Sequence, residues 1–151
     1  DMSGNKLSGT IPAEIGNMRK LNLLSLAYNK LQGEVPADLG WLSELEELNV
    51  ARNELEGILP AEWGELKNLK RLTLTGNKFR GSIPKAWEGM KKLEYFWGQD
   101  NALTGKVPDF LFRLPVLKRL CLENNFLQLT EEQKKLDRKG EQYFLLPQGE
   151  K

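Results

Sequence analysis

The chain contains no histidine and a single cysteine, Cys121. Without histidine it lacks the usual general base, the usual proton shuttle near neutral pH and the commonest metal ligand. A lone cysteine rules out an intrachain disulfide and any cysteine-based metal site. There is no apolar run of eighteen residues, so neither a transmembrane helix nor membrane insertion is expected. No Asn-x-Ser/Thr sequon occurs despite the many asparagines, and no glycine-rich phosphate loop. Charge of neither sign dominates, with 22 basic against 21 acidic residues. That balance argues against nucleic acid or an anionic membrane surface as partner. The usual catalytic constellations are therefore absent, and a non-enzyme without cofactor or metal is expected.

What is present is repetition. Asparagines stand at 5, 29, 53, 77, 101 and 125, a period of twenty-four with no insertion. The clearest copy runs from Leu69 to Pro84 as Leu-Lys-Arg-Leu-Thr-Leu-Thr-Gly-Asn-Lys-Phe-Arg-Gly-Ser-Ile-Pro. Leu21, Leu45, Leu69, Leu93 and Leu117 share one position; Leu24, Leu48, Leu72, Phe96 and Leu120 share the next. Two residues on, Leu26, Val50, Leu74 and Leu122 align, but Gly98 interrupts the series. Prolines recur at 12, 36, 60, 84 and 108, followed by Ile15, Leu39, Trp63, Trp87 and Leu111. With this repeat, 151 residues form one domain whose units touch only their neighbours. The chain begins at Asp1 inside a repeat with no signal peptide before it, and reads as a fragment lacking an amino-terminal part.

The pattern is physically legible. Leu-x-Leu alternation suits a strand with one buried face, and a fixed period stacks such strands as parallel neighbours roughly 4.8 Å apart. Asparagine falls where the chain leaves the strand, where its amide can satisfy backbone groups of its own and adjacent turns. Glycine permits a positive-φ bend, and proline presets the start of the next turn. Stretches such as Pro12-Ala13-Glu14-Ile15-Gly16 read as short helical or 3₁₀ turns on the far side.

These residues carry a resemblance. The pattern LxxLxLxxNxLxGxIPxxLGxL, over residues 1–129, resembles the plant-specific class of leucine-rich repeat found in receptor-like kinase ectodomains and polygalacturonase-inhibiting proteins. The resemblance implies an α/β solenoid, a right-handed superhelix with a parallel concave sheet, 24-residue repeats and short convex turns. It also implies a non-catalytic module that binds protein or peptide, placed outside the cell as a secreted or cell-surface protein. The chain departs from the family's secreted members in lacking the cysteine pairs that flank their repeats, which leaves an intracellular setting open.

Past Leu129 the repeat stops, and residues 130–151 are expected to form a carboxyl-terminal cap. Thr130 with Gln133 reads as a capping box opening an amphipathic helix through about Lys139, with Gly140 placed to end it. The apolar run Tyr143–Pro147 is long enough to fold back over the last repeat. The amino-terminal end has no such cover, so its strand edge and core are expected to be exposed.

Because the ladder is accounted for as scaffold, function is sought in the side chains it leaves free. Positions i, i+2 and i+4 of a strand share a face. The outward grid is Leu23, Ser25 and Ala27; Glu47, Asn49 and Ala51; Arg71, Thr73 and Thr75; Tyr95, Trp97 and Gln99; Arg119, Cys121 and Glu123. Arg71, Thr73, Tyr95, Trp97, Gln99, Arg119, Glu123, Glu47 and Asn49 are the partner-binding candidates. Arg, Tyr and Trp are the types most enriched in binding hot spots. A solvated face, with Glu47 and Glu123 pairing the arginines, is the structural alternative. Glu47 and Glu123, roughly 14 Å apart by strand spacing, are too distant for a glycosidase pair. Around Gly98 two arrangements are open: Trp97 outward with a neighbour filling the gap, or a bulge that tucks Trp97 inward. Trp63 and Trp87 belong to the core; Trp41 reads as a stray surface group. Two further functions remain in view: a solenoid that self-associates through its open end, and an inhibitor of a cell-wall glycosidase, the latter by family analogy alone.

Overall fold

The computed structural model describes residues 1–150 as two six-stranded parallel sheets joined by short turns. In chain order the strands are β1 (Ser8–Gly9), β2 (Leu23–Ser25), β3 (Lys30–Glu34), β4 (Glu47–Asn49), β5 (Glu54–Ile58) and β6 (Arg71–Thr73). They continue with β7 (Lys78–Gly81), β8 (Tyr95–Trp97), β9 (Ala102–Lys106), β10 (Arg119–Cys121), β11 (Phe126–Gln128) and β12 (Tyr143–Phe144). The even strands form one sheet in the order β2 to β12, and the odd strands the other in the order β1 to β11. Leu-x-Leu alternation builds the even sheet, pairing Leu23 with Glu47, Glu47 with Arg71, Arg71 with Tyr95 and Tyr95 with Arg119. The molecule is an α/β solenoid.

The odd sheet is an addition to what the repeat suggests. Its signal is a second alternation after each ladder asparagine, as in Lys30-Leu31-Gln32, where only Leu31 is buried. Glycine follows, and Gly57 at φ 84° carries the chain through a bend in β5 that an L side chain disfavours. Each turn then runs through a proline with extended backbone into a five-residue 3₁₀ turn, as expected: Ala13–Asn17, Ala37–Trp41, Ala61–Glu65, Lys85–Gly89 and Asp109–Arg113.

The ladder works as a hydrogen-bonded spine. Asn77 Oδ1 accepts from Leu55 N–H at 3.1 Å, and its Nδ2 donates to Val50 O at 2.9 Å and Leu74 O at 3.1 Å. Asn29, Asn53, Asn101 and Asn125 repeat that geometry, each tying its own turn to the one before. Between the sheets and turns lies a continuous column of leucines, and Trp63 and Trp87 fill its broad side, stacked at 6.0 Å and 9°. Their indole N–H groups donate to Pro36 O at 3.1 Å and Pro60 O at 2.8 Å, so neither buried donor is stranded.

The carboxyl-terminal segment corrects one expectation. The capping box forms at Thr130 and Gln133, but the helix, α1, covers only Glu131–Lys134 instead of running to about Lys139. One turn is all that fits before the chain must reverse: Arg138 adopts φ 60° and its N–H donates to Tyr143 O. Gly140, at φ 61°, lies within a 3₁₀ turn (Lys139–Glu141) rather than ending the α-helix. Tyr143 and Phe144 then pair with Leu120 and Cys121, and Leu145 enters the core fully buried. Gln148 takes the place of a seventh ladder residue, accepting from Leu127 N–H at 3.0 Å and donating to Leu122 O at 2.7 Å. At the other end, Met2, Leu7, Ile11, Ile15, Leu26 and Leu31 line an apolar depression of about 360 Å³.

Candidate functional site

Two rows of side chains cross the concave sheet, set by the strand register. One runs Leu23, Glu47, Arg71, Tyr95, Arg119; the other runs Ser25, Asn49, Thr73, Trp97, Cys121 and ends on Phe144. Pairing continues unbroken past β8, with Gly98 N–H donating to Cys121 O at 2.8 Å and Asp100 N–H to Glu123 O at 3.1 Å. No bulge forms, so Trp97 faces outward, half-buried. The space opposite Gly98 is taken by the Phe96 ring and Leu122: a Cβ on Gly98 would lie 3.1 Å from the first and 3.2 Å from the second. The larger Phe96, standing where the other repeats carry leucine, compensates for the glycine.

Tyr95 and Trp97 stack on each other, with ring centroids 5.1 Å apart and planes 8° from parallel. The Arg71 guanidinium sits 5.5 Å over the Tyr95 ring and 4.0 Å from the Glu47 carboxylate, the outer limit of an ion pair. Arg119 lies 5.3 Å over the ring of Phe144, and Arg138 approaches the same ring at 5.3 Å. Such cation–π contacts contribute about 0.5–1 kcal/mol each at exposed sites. Thus Arg71, Tyr95, Trp97 and Arg119 come together as one patch. Phe144 and Arg138 join it from the carboxyl-terminal segment.

The remaining candidates divide. Thr73 stands between Asn49 and Trp97, half-buried. Asn49 turns its carbonyl oxygen back to accept from Ala51 N–H at 3.0 Å. Gln99 follows Trp97 on the same face, and its Oε1 is buried without a donor. Glu123 forms no ion pair with Arg119 among the described residues; Asp137 and Asp100 supply the ion pairs at Arg138 and Arg52 instead. Burial raises the Glu123 carboxyl above its ordinary value, with the Asp100 and Asp137 carboxylates adding to it against the pull of Arg138. Burial likewise pushes the Cys121 thiol up to about 11, which leaves it protonated and unreactive near neutral pH. At the entry to the strands, Glu94 and Lys118 form a 2.7 Å pair whose hydrogen bond lowers the Glu94 pKa. Trp41 lies outside the patch, exposed, with the Arg19 guanidinium 5.7 Å from its ring.

Phe144 and Arg138 escaped the repeat-based reading. The relevant signal is Tyr143-Phe144-Leu145-Leu146-Pro147-Gln148, an aromatic and glutamine variant of Leu-x-Leu-x-x-Asn. It runs at twenty-three residues from the last repeat, since Leu120 pairs with Tyr143.

The leucine-rich repeat family model matches residues 1–18, 44–66 and 68–90. Comparison with curated proteins gives no match. Among solved structures, the chain is similar to the Arabidopsis receptor kinase HAESA, crystallised with the peptide hormone IDA and the co-receptor SERK1. The TM-score is 0.87 at 31% identity, covering 99% of this chain and 25% of that one. The leucine-rich repeat ectodomain of the Arabidopsis thaliana receptor kinase GASSHO1/SCHENGEN3, in complex with CASPARIAN STRIP INTEGRITY FACTOR 2, gives 0.87 at 35% identity over 97% and 18%. The SOBIR1 ectodomain from the same plant gives 0.79 at 28% identity over 84% and 69%. The chain spans about a fifth of the length of several of the receptors it matches. With its unbroken repeat register, its asparagine spine and these likenesses, the chain belongs to the leucine-rich repeat family, in the plant-type class.

Proposed function

We propose that this chain is a non-catalytic recognition module that binds a peptide or protein segment on its concave sheet. The observation that carries this reading is the Tyr95–Trp97 stack flanked by Arg71 and Arg119 on a face the scaffold does not dictate. Two large aromatics and two guanidiniums gathered at the surface match the composition of binding hot spots. Structures similar to this chain were solved with peptide partners, which supports the class of ligand and a secreted or cell-surface setting. Residues 130–151 serve in this reading as the cap of repeats 1–129, protecting the strand edge and core that a solenoid end exposes.

Peptides selected from a random linear library on the intact protein should lose binding to the double variant Trp97→Ala, Arg119→Glu, with little change in melting temperature. Retained binding would remove the concave face from consideration. A second reading, self-association, draws on the apolar depression lined by Met2, Leu7, Ile11 and Ile15. Light scattering decides it: a concentration-dependent dimer abolished by Leu7→Glu supports the reading, and a monomer at high concentration ends it.

A further inference from the structure

We infer that the carboxyl-terminal strand completes the concave site and that the site takes an acidic linear peptide with a planar side chain between two carboxylates. This rests on the concave-face reading above and narrows it to a partner chemistry.

Three observations converge. First, β12 is more than cover: Phe144 extends the row of Trp97 and Cys121, and its ring lies 5.3 Å from both the Arg119 and the Arg138 guanidinium. The aromatic surface therefore continues past the last repeat, and its far wall comes from the cap. Second, Arg119 has no carboxylate partner among the described residues, and Arg71 has only Glu47 at 4.0 Å. Half-buried Arg119, whose partner is a ring rather than an oxyanion, keeps its five donors available for an incoming carboxylate, and exposed Arg71 keeps most of its own. Third, Gln99 Oε1 is buried on the same face and accepts nothing. A side-chain rotation that brings this oxygen to the surface would let it accept from a ligand N–H.

Placement follows from the sheet. Arg71 and Arg119 occupy the entry-side row on β6 and β10, two strands apart and so roughly 9.6 Å. A polyproline-II segment returns to the same face every third residue, about 9.3 Å along. Acids at i and i+3 of such a segment would reach both arginines, with the residue between them over the Tyr95–Trp97 stack. Of the acidic side chains on this face, Glu47 stands one strand before Arg71 at 4.0 Å, and Glu123 lies beyond Arg119 toward the exit of the strands, out of this path. Stacking rings among arginines also suit single-stranded nucleic acid. A phosphodiester chain, however, needs a groove of net positive charge, and here Glu47 and Glu123 share the face while the whole chain carries a net charge of only +1.

The test uses the intact protein and blocked peptides, so that no terminal charge takes part. Acetyl-Glu-Tyr-Pro-Glu-amide is titrated by calorimetry and by NMR of the four tryptophan indole N–H signals. Its Gln-Tyr-Pro-Gln and Lys-Tyr-Pro-Lys analogues and a ten-residue oligothymidylate are run alongside. The acidic peptide should bind saturably and move the indole signal that Trp97→Phe removes. The glutamine analogue should bind at least about tenfold more weakly, as the loss of charge-assisted hydrogen bonds requires. Arg119→Gln and Phe144→Leu should each weaken the acidic peptide by about the same factor while the melting temperature stays within a few degrees; the leucine keeps the apolar volume and removes the ring. Equal affinity for all three peptides with the Trp97 signal still moving would overturn the acidic selection and leave the concave reading intact. Acidic-peptide binding that ignores both Trp97 and Arg119 would overturn both readings. Tighter binding of the oligonucleotide, or no peptide binding at millimolar concentration, would overturn the inference.

Discussion

Replacing Asn77 by alanine should destabilise the fold by about 3 kcal/mol while leaving the concave face intact. Asn77 is buried and makes three hydrogen bonds to backbone, each contributing about 1 kcal/mol net. The loss is unequal among its partners. Val50 O still accepts from Asn53 and Leu74 O from Asn101, so two of the three groups remain paired. Leu55 N–H has no substitute and is stranded in the core, which by itself costs about 1–3 kcal/mol. Asn5 is the internal control: it is exposed and donates only to Met2 O and Ser3 O at 3.1 and 3.3 Å. Alanine there should cost under about 0.5 kcal/mol. Urea titration followed by fluorescence of the buried Trp63–Trp87 stack measures both. Since domains of this size have about 5–15 kcal/mol to lose, a 3 kcal/mol change is easily resolved. A loss below about 1 kcal/mol for Asn77, or equal losses at both positions, would refute the assignment of the ladder as a cooperative spine.

Gly64→Ala should destabilise by about 2 kcal/mol in the same titration, because its Cβ would press on the carbonyl oxygen of Ala86 in the next turn, and backbone yields less readily than a flexible side chain. Glu123→Gln should raise the melting temperature slightly at pH 7. The folded-state pKa is raised, so the ionised group destabilises the fold above that value, and the difference should vanish as pH falls below the ordinary carboxyl value of 4.5, where both states are protonated. Cys121 should resist iodoacetamide at pH 8 in the folded protein and react at the ordinary thiol rate in urea. With its folded pKa raised from 9.0 to about 11, the wild type should lose stability relative to Cys121→Ala as pH climbs from 9 towards 11, since the unfolded thiol ionises first. Equal alkylation rates with and without urea would contradict the burial.

The register of the even sheet is fully legible in the sequence, because Leu24, Leu48, Leu72, Phe96 and Leu120 recur with no insertion and a one-residue slip would put every leucine in water. The odd sheet was harder. Beyond β1, which carries none, each of its strands has a single strongly apolar inward residue, such as Leu31 or Phe79, too little alternation to separate a strand from a loop. The Trp97–Gly98 break was legible as a break but not as an outcome. Whether Phe96 fills the gap depends on ring packing against Leu122, which spacing alone does not encode. The ring beneath Arg119 is not legible for a related reason: Phe144 comes from a segment where the period no longer applies.

The limit of the period also explains how one segment can serve as both cap and binding surface. Carried forward at twenty-four, the pattern would set Phe144 beside Leu120 in the core and leave Leu145 and Tyr143 facing out. The last turn is one residue shorter, pairing Leu120 with Tyr143, so the faces exchange. Leu145 is then fully buried, Tyr143 packs against the core, and Gln148 falls where the ladder needs an amide. Glutamine there closes the last rung, leaving Leu127 N–H and Leu122 O paired at the point where the chain must stop repeating. Phe144 is outward for the same reason that Leu145 is inward. The single-residue shortening that seals the core is what delivers a ring to Arg119. Stability of the end and shape of the concave surface are thereby set by one register, so a change that restored the twenty-four-residue spacing, such as one residue inserted after Lys139, would disturb both together.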